Sequence, residues 1–169
     1  MEILNGKDLS ALIKDDLKCK SEQFVQTPIL AVITIGDDAA SAVYVRNKKK
    51  ACEYVGFSFM HFDYLSEVKE SVVIKKIKEL NRDKTVNGIL LQLPIPDHFD
   101  VEKIINTIDP KKDVDGLTTV NMGKLLSGNY GMVPCTPSGI LEILDHYKVE
   151  LEGKNVCVVG RSHLVGKPI

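Results

Sequence analysis

Two short runs constrain the fold most: residues 29–35, ILAVITI, and residues 86–93, VNGILLQL, both almost wholly apolar. A strand with one solvated face alternates apolar and polar side chains, whereas a strand covered on both faces reads as a continuous apolar run. Such strands belong in the interior of a parallel sheet, and parallel neighbours need a crossover between them, usually a helix. The intervening sequence supplies helices. Leu9, Leu12, Ile13 and Leu17 recur at helical spacing before the first run, and Ser41 is placed to cap a helix reaching about Tyr54, with Gly56 at its C-terminal cap. Residues 57–62 read as a further strand, and Val73, Ile77 and Leu80 mark one face of the next helix. Pro94 and Pro96 end the second apolar run, and a short helix over 101–108 leads into a loop-rich stretch, 109–136. Thr136 then reads as an N-cap with Pro137 at the first helical position, opening a helix through Ile140, Leu141 and Leu144. The alternation predicts an α/β fold with a parallel sheet, in which ligands bind at the carboxyl ends of the strands.

Composition narrows the partners. Twenty-two basic against 23 acidic residues leave a net charge of -1. That argues against general nucleic-acid or anionic-membrane binding, which both rely on excess positive charge, and favours a small-molecule site. Cys19, Cys52, Cys135 and Cys157 form no CxxC pair and lie near no histidine-rich segment, so neither a zinc site nor a disulfide framework is expected, and the thiols are read as reduced. No signal-peptide pattern opens the chain, and no apolar run approaches the roughly 20 residues that span a bilayer, so the expected compartment is the cytoplasm.

The closing segment, residues 155–169, NVCVVGRSHLVGKPI, reads as a buried strand over 156–159, a glycine turn and the opening of a helix. Backbone N–H groups at such a helix start suit a phosphate, although the second glycine of GxGxxG is missing. The crossover helix and later strands that would complete a dinucleotide-binding unit do not follow, so that unit is expected to be incomplete and the end at Ile169 to be a truncation.

Candidate site residues cluster by position. Tyr44 and Lys48 lie one turn apart on one helix face, so a ring and an amine share one pocket. Gln92 stands at the end of the second apolar run, where its amide both donates and accepts. Asp113 and Asp115 flank Val114 before Gly116, which permits close backbone approach, and one of these carboxylates suits a polar heterocycle. Each has a plainer reading. Lys48 belongs to the run Lys48-Lys49-Lys50, which by itself reads as a solvated face, and Tyr44 reads as packing. Asp in a turn normally bonds its own backbone, Gln92 can satisfy a loop, and Cys135 between two prolines can be an inert buried thiol.

Five segments in order, YVRNKKKACEYVGF (44–57), GILLQLPIP (88–96), PKKDVDGLTTVNMGKL (110–125), PCTPSGI (134–140) and VVGRSHLVGKP (158–168), closely resemble the bifunctional methylenetetrahydrofolate dehydrogenase/cyclohydrolase family. The resemblance implies a folate-binding catalytic domain over 1–145 and the start of an NADP-binding Rossmann-like domain over 146–169. It implies NADP-dependent oxidation of 5,10-methylenetetrahydrofolate to the methenyl form and hydrolysis of that form to 10-formyltetrahydrofolate. By the same resemblance Tyr44 stacks on the folate rings, Lys48 is the essential lysine, Gln92 is its hydrogen-bonding partner and Asp115 holds the pterin. Leu93 and Pro94 line the substrate site, Cys135 lies near the cleft, and Gly160, Arg161 and Ser162 form the cofactor loop. Arg161 there favours NADP over NAD through the 2′-phosphate. A cytoplasmic homodimer in the full-length form, serving one-carbon metabolism and purine biosynthesis, is implied as well. Dehydrogenase activity is expected to be poor or absent without the rest of the cofactor domain. Two alternatives stand beside this: a folate-binding fragment without turnover, and a Rossmann-type dehydrogenase acting on another small substrate.

Overall fold

The computed structural model describes residues 3–169. Helix α1 (Gly6–Ser21) precedes strand β1 (Ile29–Ile35), helix α2 (Ala39–Val55), strand β2 (Ser58–Tyr64), helix α3 (Glu70–Arg82) and strand β3 (Gly88–Leu91). Three further helices follow, α4 (Val101–Ile105), α5 (Thr119–Leu126) and α6 (Cys135–His146). The strands form a parallel sheet in the order β2-β1-β3, with Ile33 opposite Leu91 on one side and Phe62 on the other. Beyond β3, Ile89 N donates to Lys112 O at 2.7 Å and bridges to Asp113, so the loop carrying the two aspartates runs beside the sheet edge.

The sheet is covered on both faces, which explains its apolar strands. Ala31, Ile33, Ile35, Ile89 and Leu91 pack on Val73, Ile77 and Leu80 of α3 and on Ile104 of α4. On the opposite face Val32 and Leu90 meet Val45 of α2. Burying one such aliphatic side chain contributes about 1.5–3 kcal/mol, so this double-sided core is the main source of stability. Helix α1 is less well covered. Of its apolar stripe only Leu9 is buried, and Leu12, Ile13 and Leu17 are exposed.

Local signals differ in detail from their sequence reading. Asp38, not Ser41, caps α2: its Oδ2 accepts from Ser41 N at 2.6 Å. An ionised carboxylate accepts more strongly than a hydroxyl and also suits the positive end of the helix. Gly56 closes α2 in the left-handed region, φ 78°, as expected. Helix α4 stops at Ile105 rather than 108, since 106–108 continue only as a turn. Helix α6 begins at Cys135 with Pro134 at its cap, so Thr136 lies inside the first turn and makes no capping bond. Pro137 still falls in that first turn, where a missing N–H costs nothing.

The strand expected over 156–159 does not form: residues 154–162 have no regular structure, and Val156 and Val159 are 69% and 97% exposed. A strand gains stability only from a neighbour that satisfies its backbone groups. No strand among the described residues runs beside this one. Residues 163–168 form turns in place of a helix.

Candidate functional site

The carboxyl ends of β1 and β3 lie beneath the first turns of α2. The β3 chain leaves the sheet at Gln92, whose backbone N donates to Ile33 O at 2.9 Å and thereby fixes where its side chain begins. That side chain is 9% exposed and fully engaged. Its Oε1 accepts from Lys48 Nζ at 2.8 Å, and its Nε2 donates to Leu93 O at 2.7 Å. The second bond orients the amide so that oxygen, not nitrogen, faces the ammonium. Leu93 O also accepts from Ser41 Oγ at 3.5 Å, a weak tie between the α2 N-terminus and the β3 exit. The Leu93-Pro94 peptide is cis, Leu93 is half-buried and Pro94 is exposed at the rim.

Lys48 therefore separates from its neighbours in the lysine run. Lys49 and Lys50 are exposed, Lys48 is half-buried, and the difference follows from α2 turning one side chain in three or four toward the sheet. Tyr44, one turn earlier on the same face, is 60% exposed and so is not part of the core.

The two aspartates divide. Asp113 is 2% exposed, and its carboxylate accepts from Leu117 N at 3.2 Å, Thr118 N at 2.8 Å and Asn121 Nδ2 at 2.9 Å. Every bond lies within its own loop and α5, so this residue is structural. Asp115 instead accepts from outside that loop, from Cys135. Burial raises its pKa above the ordinary carboxylate value, and the nearby Lys48 ammonium and the Cys135 thiol oppose that rise.

Cys135 Sγ donates to Asp115 Oδ1 at 3.3 Å and Val114 O at 3.5 Å. The residue is exposed as a whole, yet its sulfur is turned onto these two oxygens. Desolvation first, and then the Asp115 carboxylate, push the thiol up to about 11, so it is held as S–H and is a poor nucleophile.

Lys48, Gln92, Asp115 and Cys135 thus converge from α2, the β3 exit, the 109–118 loop and the start of α6, with Tyr44, Leu93 and Pro94 at the rim. The cofactor-loop residues stand apart. Gly160 (φ 145°), Arg161 and Ser162 are exposed and make no hydrogen bond to this cluster among the described residues. Ser162 Oγ accepts from Val165 N at 3.1 Å, and the Gly166 backbone sits directly against Gly160, with no room for a side chain between them. A mainly apolar groove of about 840 Å³ runs from the rim residue Leu93 past Met122 and Leu126 to His163, Leu164 and Lys167, and neither the Lys48 cluster nor Gly160, Arg161 and Ser162 line it. No set of three or more His, Cys, Asp or Glu side chains among the described residues is arranged to hold a metal ion.

Spacing alone missed three parts of this cluster. Asp113 and Asp115 are indistinguishable by spacing, so only family resemblance favoured Asp115, the Cys135–Asp115 bond joins residues 20 apart, and Asn121 falls in the 109–136 stretch read as loop-rich, where the structure forms α5.

A doubly covered parallel sheet with a lysine–amide pair and a half-buried carboxylate at its carboxyl end defines an α/β protein with a polar small-molecule site. Known sequences make this specific. The family description "Tetrahydrofolate dehydrogenase/cyclohydrolase, catalytic domain" matches residues 4–115, and the NAD(P)-binding domain of the same family matches 134–169. The chain belongs to the tetrahydrofolate dehydrogenase/cyclohydrolase family. It is 48% identical to the bifunctional protein FolD of Agathobacter rectalis over 170 residues, covering 99% of this chain and 61% of that protein. The crystal structure of the Campylobacter jejuni bifunctional methylenetetrahydrofolate dehydrogenase/cyclohydrolase superposes with a TM-score of 0.96 at 41% identity, over 99% of this chain and 61% of that one. The Trypanosoma brucei enzyme complexed with NADP cofactor and inhibitor superposes at 0.93 and 30% identity, over 99% of this chain and 59% of that one. The chain therefore spans about three fifths of the length of these relatives.

Proposed function

We propose that this chain carries the folate site of a methylenetetrahydrofolate dehydrogenase/methenyltetrahydrofolate cyclohydrolase. The observation that carries this reading is the Lys48 Nζ–Gln92 Oε1 bond of 2.8 Å beside a half-buried Asp115. Those residues come from three separate chain segments, and a set of merely solvated surface groups has no reason to converge.

Each residue has a task suited to its chemistry. Tyr44 offers a ring face to the pterin, Leu93 and Pro94 bound the same opening, and Asp115 accepts hydrogen bonds from the amino-pyrimidine edge of the heterocycle. In the hydrolysis, Lys48 Nζ acts as the free amine and takes one proton from the water whose oxygen adds to the methenyl carbon; the proton of the resulting hydroxyl then passes to N5 as the bond from that carbon to N5 breaks and the formyl C=O forms, leaving the 10-formyl product. Gln92 holds the lysine nitrogen with a neutral oxygen and so adds no countercharge beside a cationic substrate. In the oxidation, the bound nicotinamide accepts a hydride, and the protein's part is to position the folate, whose nitrogen lone pair stabilises the developing cation. The turn at Gly160, Arg161 and Ser162 is open on its outer side and suits only the phosphate-bearing part of that cofactor. Arg161 supports NADP, with NAD the alternative. A division near residue 145 between the folate and cofactor parts, a homodimer, a cytoplasmic location and a role in purine supply belong to the same reading and rest on family resemblance.

The test is a spectrophotometric assay of methenyltetrahydrofolate hydrolysis by the purified chain. Lys48→Met is expected to abolish turnover while folate binding is largely kept. Turnover at the wild-type rate in that variant would remove Lys48 from the mechanism, and binding without turnover in the wild type would favour a non-catalytic folate module.

A further inference from the structure

Two backbone segments bracket Asp115. One is residues 110–113, which turn beside the sheet edge. The other is residues 132–134, which lie against Gly116: a methyl group on that glycine would stand 2.7 Å from the Val133 carbonyl carbon and 2.8 Å from Met132 O. Cys135 follows directly and donates to Asp115. One side chain stands between the two segments. Asn121, in the first turn of α5, is 1% exposed. Its Nδ2 donates to Pro110 O and to Asp113 Oδ2, each at 2.9 Å, and so closes the 110–113 turn against the helix. Its Oδ1 is buried without a hydrogen-bond partner and faces Gly131, where a methyl group would lie 3.2 Å away.

We propose that Asn121 is a positioning residue of the folate site, setting where Asp115 stands relative to Lys48 and Gln92 by locking the 110–113 turn on one side and seating the Gly131 segment on the other. This rests on the folate reading given above. The side chain is suited to the task because it needs two donors on one planar end and must present no bulk at the other. Serine is too short to span Pro110 and Asp113, and an aspartate would set a second carboxylate against Asp113.

The experiment uses the full chain with Cys19 and Cys157 replaced by serine, leaving Cys135 as the one exposed thiol. In Asn121→Ser, iodoacetamide labelling of Cys135 at about pH 8 is expected to rise about tenfold, because the thiol loses its fixed contact with Asp115. The KM for methenyltetrahydrofolate is expected to rise about tenfold with a smaller change in kcat, the effect of losing about 1.4 kcal/mol of binding. Asn121→Asp keeps the shape and lacks the donor. Its KM is expected to rise as in Asn121→Ser, because the bonds to Pro110 O and Asp113 Oδ2 are lost. A lowered melting temperature with unchanged labelling and KM would mean a structural strut only, and so would failure of both variants to fold in the cold. Asp115→Asn serves as the control. A raised KM there with an unchanged KM in Asn121→Ser sinks this inference alone, whereas no effect of Asp115→Asn sinks the folate reading itself.

Discussion

Asp113 and Asp115 are two residues apart and chemically identical, yet the structure gives them opposite consequences when replaced. Asp113→Ala removes an acceptor from two buried donors, Thr118 N and Asn121 Nδ2, and from the half-buried Leu117 N. A hydrogen bond of this kind contributes about 1 kcal/mol net, and a stranded buried donor costs about 1–3 kcal/mol. Water entering the space left by the carboxylate recovers part of that. The expected loss is about 3 kcal/mol, which for a chain of this size lowers the melting temperature by about 6–12 °C. Asp115→Asn behaves differently. The folded-state pKa of Asp115 is raised, chiefly by burial, so folding favours its protonated form, and its ionised form weakens the fold as pH rises through that value. The asparagine variant is therefore expected to match the wild type in acid and to be the more stable at neutral pH, while folate binding weakens. Urea unfolding followed by far-ultraviolet circular dichroism measures both. An Asp113→Ala loss below about 1 kcal/mol, or an Asp115→Asn variant less stable than wild type at neutral pH, would refute the division of roles.

Three other substitutions or conditions test neighbouring steps. Gln92→Leu keeps the volume but strips Lys48 of an acceptor worth about 1.5–3 kcal/mol, so hydrolysis is expected to slow by at least about tenfold, read from kcat. Gly116→Ala places a methyl group against the 132–134 backbone at φ 65° and is expected to cost at least about 2 kcal/mol; chemical denaturation showing less than a quarter of that would mean the segment moves aside easily. With its thiol pushed up to about 11, Cys135 is thiolate to about one part in a thousand near pH 8, and peptide-level mass spectrometry should show its alkylation climbing steadily with pH up to that value.

The legible parts of this fold were those in which one physical signal dominates a short stretch. The apolar runs at 29–35 and 86–93 hold covered strands, the second shortened to Gly88–Leu91, and Gly56 forms the left-handed cap its position suggested, because glycine adopts that conformation at little cost. The start of α6 and the cap of α2 were misplaced because several capping residues crowd each boundary and the winner is set by where the chain arrives. The strand at 156–159 was misread for a related reason. Its apolar pattern is real, but a pattern records only a capacity to pair, and pairing needs a neighbour.

What the sequence determined by itself was the parallel α/β layer order, which follows from periodicity, a local property. Position added an inventory of candidates, Tyr44, Lys48, Gln92 and the pair Asp113 and Asp115, within which resemblance to the family favoured Lys48 and Asp115. Only the tertiary structure decided the assignments within that inventory. It set Lys48 half-buried against Gln92 while the two lysines that follow it stay exposed, and it made Asp113 a buried strut while Asp115 stays half-buried beside Cys135. It also turned Cys135 onto the carboxylate and revealed Asn121 between the two segments that hold it. Each of these depends on which groups lie across from one another in space, with partners as far as 44 residues away in the chain, and on how much water the packing removes from them. Hydrogen bonding and desolvation act through distance and surroundings, and neither is written in the order of the residues.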